Sequence, residues 1–296
     1  MPELPEIESL RRSLRPMIGS RVVRGCVHRA DMVLPDGAVP LPKGARIRAL
    51  HRHGKQLVLE TLDHGCLVVH LGMSGSLRLV AEADEPPRDS HVHARWVLES
   101  PDGSRCTLLH RDPRRFGWLE VHPDLEHVRT VWRDRLGPDA MDPSVAALLD
   151  AFAVTRRAVK AVLLDQSVIA GIGNIYADEA LFRARVHPFN PACAMERSAG
   201  LRLVKAIRWV LQRAIEHGGS TIRDHRTADG RWGSFQRMHR VYGRGGQPCF
   251  RCGNTLRLTR LLQRATVFCP ACQPRGPGVR PKGRRRSRGL SAPVDG

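Results

Sequence analysis

Apolar side chains in the amino-terminal segment recur at the spacing of an amphipathic helix. Ile7, Leu10 and Leu14 follow one another at intervals of three and four residues, and arginines occupy the faces between them. Pro16 and Gly19 come next, and both residue types are common where a helix ends. The pattern therefore predicts one helix at the start of the chain, with one face buried, ending near Pro16 and Gly19.

From residue 20 to about residue 122 the period changes to that of short β-strands. The predicted strands are residues 21–28, 46–51, 56–62, 66–71, 76–80, 93–99, 105–110 and 118–122. Gly, Pro and Asp separate these runs at the intervals typical of an antiparallel sandwich or barrel. This region is therefore predicted to be an all-β unit.

Beyond about residue 143 the pattern becomes helical. Helices are predicted at residues 144–153, 157–165, 175–185 and 198–217, the last with an apolar stripe and a Gly-Gly stop at 218–219. Residues 220–246 are rich in Gly, Arg and Asp, which favours a mobile loop. The segment after Gln273 has almost no apolar residues, so we expect disorder there.

The net charge of the chain indicates what kind of partner it binds. The 296 residues carry a formal net charge of +19 with a pI near 11.0. Residues 275–296 hold seven Lys and Arg against one Asp, so residues 1–274 retain +13. A basic body indicates a polyanionic partner, and nucleic acid fits best. No apolar run reaches the ~18–20 residues of a membrane span, so a soluble intracellular protein is expected.

Cysteine spacing predicts a metal site. Cys26, Cys66, Cys106 and Cys193 are scattered, and the first three lie in apolar runs, so buried reduced thiols are expected. The other four form two Cys-x2-Cys pairs sixteen residues apart: Cys249, Cys252, Cys269 and Cys272. Four thiolates close a tetrahedral zinc site with no open position. One structural zinc ion in a hairpin over residues 247–273 is therefore predicted.

The amino terminus offers unusual chemistry. Initiator Met is commonly removed before a small residue, and Pro2 would then carry a free secondary amine. Such an amine attacks an aldehyde-level carbon to give an iminium ion, and an α-amino pKa of about 7.7–8.0 leaves part of it neutral. Glu3 and Glu6 lie within one helical turn and could move protons. The alternative is that Pro and Glu merely suit a first helical turn.

Six segments carry a resemblance to one family. They are residues 2–6 (PELPE), 70–78 (HLGMSGSLR), 112–117 (DPRRFG), 171–176 (GIGNIY), 241–244 (VYGR) and 263–266 (QRAT). In this order they resemble the bacterial formamidopyrimidine-DNA glycosylases, the Fpg/Nei family of helix–two-turn–helix repair enzymes. The resemblance covers residues 2–273 almost end to end and leaves out only the tail.

The resemblance implies a bifunctional enzyme that flips an oxidised base out of duplex DNA, cuts the glycosidic bond and nicks the strand by β,δ-elimination. Pro2 would attack C1′ of the flipped nucleotide to form a Schiff base, and Glu3 would protonate the opening sugar. Glu6 would orient or buffer the amine, or be only a first-turn acid. Lys55, between two predicted strands, matches a lysine that binds the phosphate beside the lesion.

Three residues match the family's wedge, which fills the gap left by the flipped base. Met73 and Phe116 would re-stack against the neighbouring bases, and Arg114 would meet the unpaired partner base through its donor fork. Core packing is the alternative for Met73, but its neighbours Gly72 and Ser74 favour the tip of a turn.

Four further residues are predicted to contact DNA. Lys160 and Arg264 would bind phosphates, the latter from the turn of the zinc hairpin. Asn174 would cap the helix that starts at Ile175 and direct N–H groups at a phosphate. Tyr242 would contact DNA, or alternatively pack against the finger.

The predicted fold class is α+β. Residues 1–133 would form an amino-terminal β-sandwich domain with its helix, residues 134–240 a helix–two-turn–helix domain with a lesion-covering loop, residues 241–273 a zinc finger and residues 274–296 a disordered basic tail. Damaged double-stranded DNA would lie between the two main domains. We expect a monomer without a membrane partner, located in the bacterial cytoplasm at the nucleoid.

Two positions depart from the family pattern, and they bear on the lesion preference. His225 lies in the lesion-covering loop, and Gln56 follows Lys55, where aromatic residues are common in relatives. Leu4 and the complete wedge favour oxidised purines, such as 8-oxoguanine and formamidopyrimidines, over oxidised pyrimidines. A non-catalytic zinc-ribbon protein that only recognises damaged DNA is the remaining alternative, and retention of Pro2 and Glu3 argues against it.

Overall fold

The computed structural model describes residues 2–81, 89–142, 144–220 and 227–276. Two sheets form the first half of the chain and helices dominate the second, so the predicted α+β class is confirmed. His225, in the predicted lesion-covering loop, and residues 277–296 of the predicted tail lie outside the described residues.

The first helix joins the two halves of the molecule. Helix α1 (Leu4–Ser13) begins with a capping box, in which the Glu3 side chain accepts from the Glu6 amide and the Glu6 side chain from the Glu3 amide. Ile7 and Leu10 are buried in the core of the β domain, whereas Leu4 is buried in the core of the helical domain. Because one short helix contributes to both cores, residues 2–6 are held between the domains.

All eight predicted strands are present. The strands of the first half are β1 Arg21–Val27, β2 Val33–Leu34, β3 Ile47–His53, β4 Gln56–Thr61, β5 Cys66–His70, β6 Ser76–Ala81, β7 Val92–Glu99, β8 Arg105–Arg111 and β9 Trp118–His122. They form a four-stranded sheet of order β1-β7-β8-β6 and a five-stranded sheet of order β2-β9-β5-β4-β3. Side chains of both sheets meet in one apolar core, as in a sandwich.

The scattered cysteines are not all buried as predicted. Cys66 is buried, and Cys106 is half-buried on β8, but Cys26 and Cys193 are exposed. Cys26 lies on β1, an edge strand that pairs only with β7, and most of the outer residues of this strand face solvent. An apolar run on an edge strand therefore does not ensure burial of every thiol in it.

One helix was not predicted. Helix α2 (Leu125–Arg135) begins after Asp124, whose carboxylate accepts the His127 amide at 2.7 Å. Its Val128 packs with Val58 and other buried residues on the outer face of the five-stranded sheet. The helix crosses the predicted domain boundary between residues 133 and 134 and packs on the first domain.

The second half contains the predicted helices and the hairpin. These elements are α3 Val145–Ala153, α4 Val159–Leu163, α5 Asn174–Ala184, α6 Arg197–Glu216, β10 Arg257–Leu261 and β11 Arg264–Phe268. Phe182 of α5 packs against Val241 and Leu256, which fixes the hairpin to the helical domain. In the part of the chain that the structure describes, no helix is long and apolar enough to cross a membrane.

Candidate active site and DNA interface

The side chain of Glu3 connects the amino terminus to the start of helix α5. Its carboxylate accepts the backbone amides of Gly173 at 2.8 Å, Ile175 at 3.0 Å and Tyr176 at 3.4 Å. An anion at this end of a helix is stabilised by the free N–H groups and by the helix dipole. The carboxylate next to Pro2 is therefore held rigidly, although it is 170 residues away in the chain from its partners.

This contact overturns the predicted role of Asn174 as a helix cap. Gly173 occupies the N-cap position, and a Cβ there would lie 2.2 Å from Cδ of Glu3, so only glycine leaves room for the carboxylate. The Asn174 amide instead donates to the carbonyl of Ala265 at 2.9 Å and ties α5 to the zinc hairpin. A contact between Asn174 and DNA stays a prediction.

Glu6 is buried among polar groups, with an exposed fraction of 1%. It accepts the Glu3 amide at 2.8 Å, the Tyr176 hydroxyl at 2.5 Å and the Ser220 amide at 2.6 Å. Burial, and next the charge of Glu3, raises the pKa of Glu6 to about 7 against the opposing effect of these hydrogen bonds. Glu6 is therefore a buried acid at the site, and its role of orienting or buffering the amine stays a prediction.

Lys55 lies in the turn between β3 and β4 with its ammonium close to this site. Burial lowers its pKa, the charges of Glu3 and Glu6 oppose that shift, and Arg264 adds to it. Two carboxylates and one further cation are therefore near enough to Lys55 to act on its charge. No hydrogen bond or ion pair engages the Lys55 side chain within the described ranges, although the residue is buried with only 9% of its surface exposed.

The turn that carries Lys55 is anchored to the second half of the chain. Asp139 accepts the Gly54 amide at 2.7 Å and pairs with both terminal nitrogens of Arg52, at 2.6 and 3.1 Å. Asp139 therefore holds this turn through the Arg52 side chain and the Gly54 backbone. Gln56, a departure from the family pattern, accepts from the Trp132 indole at 2.6 Å and so holds α2 on the sheet.

The three predicted wedge residues lie together on two adjacent loops. Met73 and Phe116 are 44% and 53% exposed, respectively, which removes the alternative that Met73 is a core residue. The Arg114 guanidinium lies 4.8 Å from the centre of the Phe116 ring. Gly72 adopts a φ of +56°, and a Cβ there would lie 2.6 Å from the Phe116 carbonyl oxygen, so the two loops touch.

Asp112 joins these two loops, and sequence reasoning gave it no role. Its carboxylate accepts the Ser74 hydroxyl at 2.6 Å, the Gly117 amide at 2.7 Å and the Arg114 amide at 3.3 Å. Burial alone would raise the pKa of Asp112, but these hydrogen bonds hold it below its usual value. A carboxylate that is buried and ionised in this way joins and fixes the two loops that carry the wedge residues.

The predicted phosphate contact of Lys160 conflicts with its position. The side chain is fully buried, and Nζ lies 2.7 Å from Oδ1 of Asp178 and donates to Thr266 Oγ1 at 2.8 Å. A charge buried in an ion pair has no surface to offer a phosphate, so Lys160 fixes the hairpin to α4 and α5 instead. Arg264, by contrast, is exposed at the start of β11, as a phosphate contact requires.

Tyr242 is half-buried between the helical domain and the finger. Its amide donates to Glu179 at 2.8 Å, and its ring meets the His239 ring edge-on at 5.5 Å. Burial raises the pKa of its hydroxyl. These contacts favour the packing role, and a contact with DNA stays a prediction.

The four clustered cysteines fit a structural zinc ion. Their Sγ atoms all lie within 4.8 Å of one another, and the Cys252–Cys269 and Cys249–Cys272 distances are 3.5 and 4.0 Å. Tetrahedral Zn–S bonds of about 2.3 Å require sulfur atoms about 3.8 Å apart. Zinc bound to Cys249, Cys252, Cys269 and Cys272 would hold the finger and, with it, Arg264.

These features define a class of protein: a DNA-processing enzyme with an amino-terminal active site, a helix–two-turn–helix domain and a zinc finger. The model of the formamidopyrimidine-DNA glycosylase N-terminal domain matches residues 1–119, that of the formamidopyrimidine-DNA glycosylase H2TH domain residues 136–226, and that of the zinc finger found in Fpg and IleRS residues 246–275. The chain belongs to the formamidopyrimidine-DNA glycosylase family, which confirms the resemblance found in the sequence.

Individual relatives agree with this assignment over nearly the whole chain. The formamidopyrimidine-DNA glycosylase of Thermomicrobium roseum is 42% identical over 93% of this chain and 99% of its own length. The crystal structure of MutM (Fpg) from Thermus thermophilus has a TM-score of 0.81 at 40% identity, covering 93% of this chain and all of that one. Lactococcus lactis Fpg in complex with DNA containing an abasic site has a TM-score of 0.84 at 32% identity, covering 92% of this chain and all of that one.

Proposed function

We propose that this chain removes oxidised purines from duplex DNA through the amine of Pro2 and then cleaves the strand by β,δ-elimination. By its family the chain is a DNA glycosylase and AP lyase of base excision repair. The observation that carries the proposal is that Glu3, Glu6 and Lys55 are buried beside the amino terminus, with exposed Arg264 near enough to act on the Lys55 charge. Two buried acids, a buried lysine and an exposed arginine suit attack by an amine on a phosphate-flanked sugar.

Each residue has a defined part in this reaction. With Met1 removed, the Pro2 nitrogen attacks C1′ of the flipped nucleotide and displaces the base, and the bond between C1′ and the ring oxygen then breaks as the iminium ion forms. Glu3 sits next to this nitrogen and hands a proton to the ring oxygen of the opening sugar. Lys55 and Arg264 bind the phosphates beside the lesion and hold the backbone in place during elimination.

The exposed wedge accounts for base flipping. Extruding a nucleotide costs a few kcal/mol of stacking and pairing. Met73 and Phe116 offset part of that cost by stacking into the gap, and Arg114 satisfies the partner base. Damaged duplex DNA is thus the partner, and the enzyme acts as a monomer, since one chain supplies nucleophile, wedge and finger. We place it at the nucleoid of the bacterial cytoplasm.

The lesion preference is proposed from Leu4 and from the complete wedge of Met73, Arg114 and Phe116, which favour oxidised purines over oxidised pyrimidines. Leu4 is fully buried next to Gly171, where a Cβ would lie 2.5 Å from Leu4 Cδ1. Single-turnover excision from duplexes with one lesion each tests the preference. Faster release of 8-oxoguanine opposite cytosine than of thymine glycol or 5-hydroxycytosine is expected. The reverse order would assign the chain to oxidised pyrimidines, and binding without cleavage would make it a damage-recognition protein.

A further inference from the structure

A continuous line of buried hydrogen bonds leads away from the active site. The Glu3 amide is bonded to Glu6, which accepts from Tyr176 at 2.5 Å. The Tyr176 hydroxyl lies 3.2 Å from Oγ of Ser220, and that Oγ lies 2.9 Å from Nε2 of His239. The side chains from Glu6 to His239 can each both donate and accept a proton, and all four are buried.

We propose that Glu6, Tyr176, Ser220 and His239 form a proton relay that serves the amine of Pro2. The relay rests on the proposed function, since it gives the reacting amine a place to leave its proton. Tyr176, Ser220 and His239 are positioning residues because they act through Glu6 and do not touch the substrate.

With Glu6 ionised, Tyr176 donates to Glu6, Ser220 donates to Nε2 of His239, and Nδ1 carries the imidazole proton. The Pro2 ammonium gives its proton to Glu6, and the Tyr176 hydroxyl then turns to donate to Ser220. Glu6 passes its proton to Tyr176 while the tyrosine proton moves to Ser220 and the serine proton moves to Nε2. Nδ1 releases its proton to solvent in the same step, so one proton enters at Glu6 and one leaves at His239, and exchange with solvent restores the Nδ1–H tautomer.

The surroundings of the relay suit this transfer. Glu6 faces Glu3 on its own helix and Lys55 on the β3–β4 turn, and burial and Glu3 raise its pKa to about 7. Burial and the Glu6 charge raise the pKa of Tyr176 well above its usual value, so this hydroxyl stays protonated. Burial lowers the pKa of His239 to about 4, so the imidazole changes tautomer without accumulating charge.

The backbone brings Ser220 to Glu6 through a glycine. Gly219 follows helix α6 with a φ of +83°, and a Cβ there would lie 2.6 Å from Oε1 of Glu6. The Ser220 amide donates to that same oxygen at 2.6 Å. Replacement of Ser220 by Ala therefore removes the hydroxyl and leaves the backbone contact intact, which isolates the relay from the fold of the site.

The test is the pH profile of borohydride trapping on a duplex with an abasic site, under single-turnover conditions. Ser220→Ala and His239→Leu should trap about tenfold more slowly than the unaltered enzyme near pH 6.5. Their rates should converge with it near pH 9, where the amine loses its proton to solvent. Ser220→Thr keeps a hydroxyl and should restore the profile. Ser234→Ala is the matched control, because Oγ of Ser234 is bonded to His217 at 3.3 Å outside the relay.

The outcomes separate the relay from the proposed function. An unaltered enzyme that gives no adduct would overturn the nucleophile itself. Normal trapping by the unaltered enzyme together with an unchanged profile in Ser220→Ala would overturn the relay alone. A loss of rate by the same factor at every pH in both variants, without rescue by Ser220→Thr, would show a purely structural role and also reject the relay.

Discussion

Replacing Asp112 by Ala should uncouple the wedge from the rest of the site. The variant leaves the Ser74 hydroxyl and the Gly117 amide without their acceptor, at sites where the bonds are 2.6 and 2.7 Å long. Hydrogen bonds to a charged group contribute about 1.5–3 kcal/mol each, so the loss of these two predicts about 3–6 kcal/mol of stability. The wedge side chains would also lose their fixed positions.

Two assays check this prediction. Urea unfolding should give a free energy of unfolding lower by that amount, and Asp112→Asn, which keeps one acceptor oxygen, should lose less. Single-turnover excision should fall more than affinity for undamaged duplex, because the wedge acts only once a base leaves the stack. Asp102→Ala is the control, since exposed Asp102 bonds to Ser104 in a loop and its replacement should leave stability nearly unchanged.

The pH dependence gives a further check with a defined sign. Because the pKa of Asp112 in the folded protein lies below its usual value, ionised Asp112 stabilises the folded state at neutral pH. This stabilisation is lost as pH falls below about 4, the unfolded value, through the folded pKa. The stability gap between the unaltered protein and Asp112→Asn should therefore narrow in that window. A gap that is constant from pH 7 to pH 3, or a loss under 1 kcal/mol in Asp112→Ala, would refute the reasoning.

Three other changes test separate parts of the molecule. Lys160→Met should destabilise the protein by about 3–5 kcal/mol, because Asp178 would be left buried without its cation, and urea unfolding measures this. Cys252→Ser should abolish stoichiometric zinc in elemental analysis and weaken DNA binding, since Arg264 would lose its support. Deleting the residues after Gln273 should flatten the plot of log K against log [salt] by ~2–4 units and leave single-turnover cleavage unchanged.

Local pattern was sufficient for most of the fold. Period-two runs bounded by Gly, Pro and Asp predicted eight of the nine strands of the two sheets and missed the two-residue strand β2, and the apolar stripe of α6 gave its length to within a residue at each end. Helix α2 was not predicted, because its apolar face is short and consists of Leu125, Val128 and Trp132. Asp124 followed by that i, i+3, i+7 spacing was nevertheless a usable signal.

The site was predictable where motifs carry it and not where distant residues meet. The exposure of Met73 and Phe116 agrees with what their segments predict, whereas the roles of Pro2, Glu3 and the wedge in the reaction stay predictions. The burial of Lys160 could not be predicted, because no pattern near Lys160 in the sequence indicates that it pairs with Asp178 on the neighbouring helix. The contact of Glu3 with the start of α5 could not be predicted for the same reason, because 170 residues separate Glu3 from Gly173 in the chain. Asn174 was misassigned as a cap because propensity favours Asn over Gly there, and a carboxylate from the amino terminus took the free amides instead.

The nucleophilic role of Pro2 is the central claim, and one measurement addresses it directly. Protein from which Met1 has been removed is incubated with a duplex containing one 8-oxoguanine in the presence of borohydride. The covalent adduct is then mapped by mass spectrometry. The account predicts an adduct on the Pro2 nitrogen and a sharp loss of trapping in Pro2→Gly, with lesion binding largely retained. An adduct formed at full yield by Pro2→Gly and mapped to a lysine would contradict it.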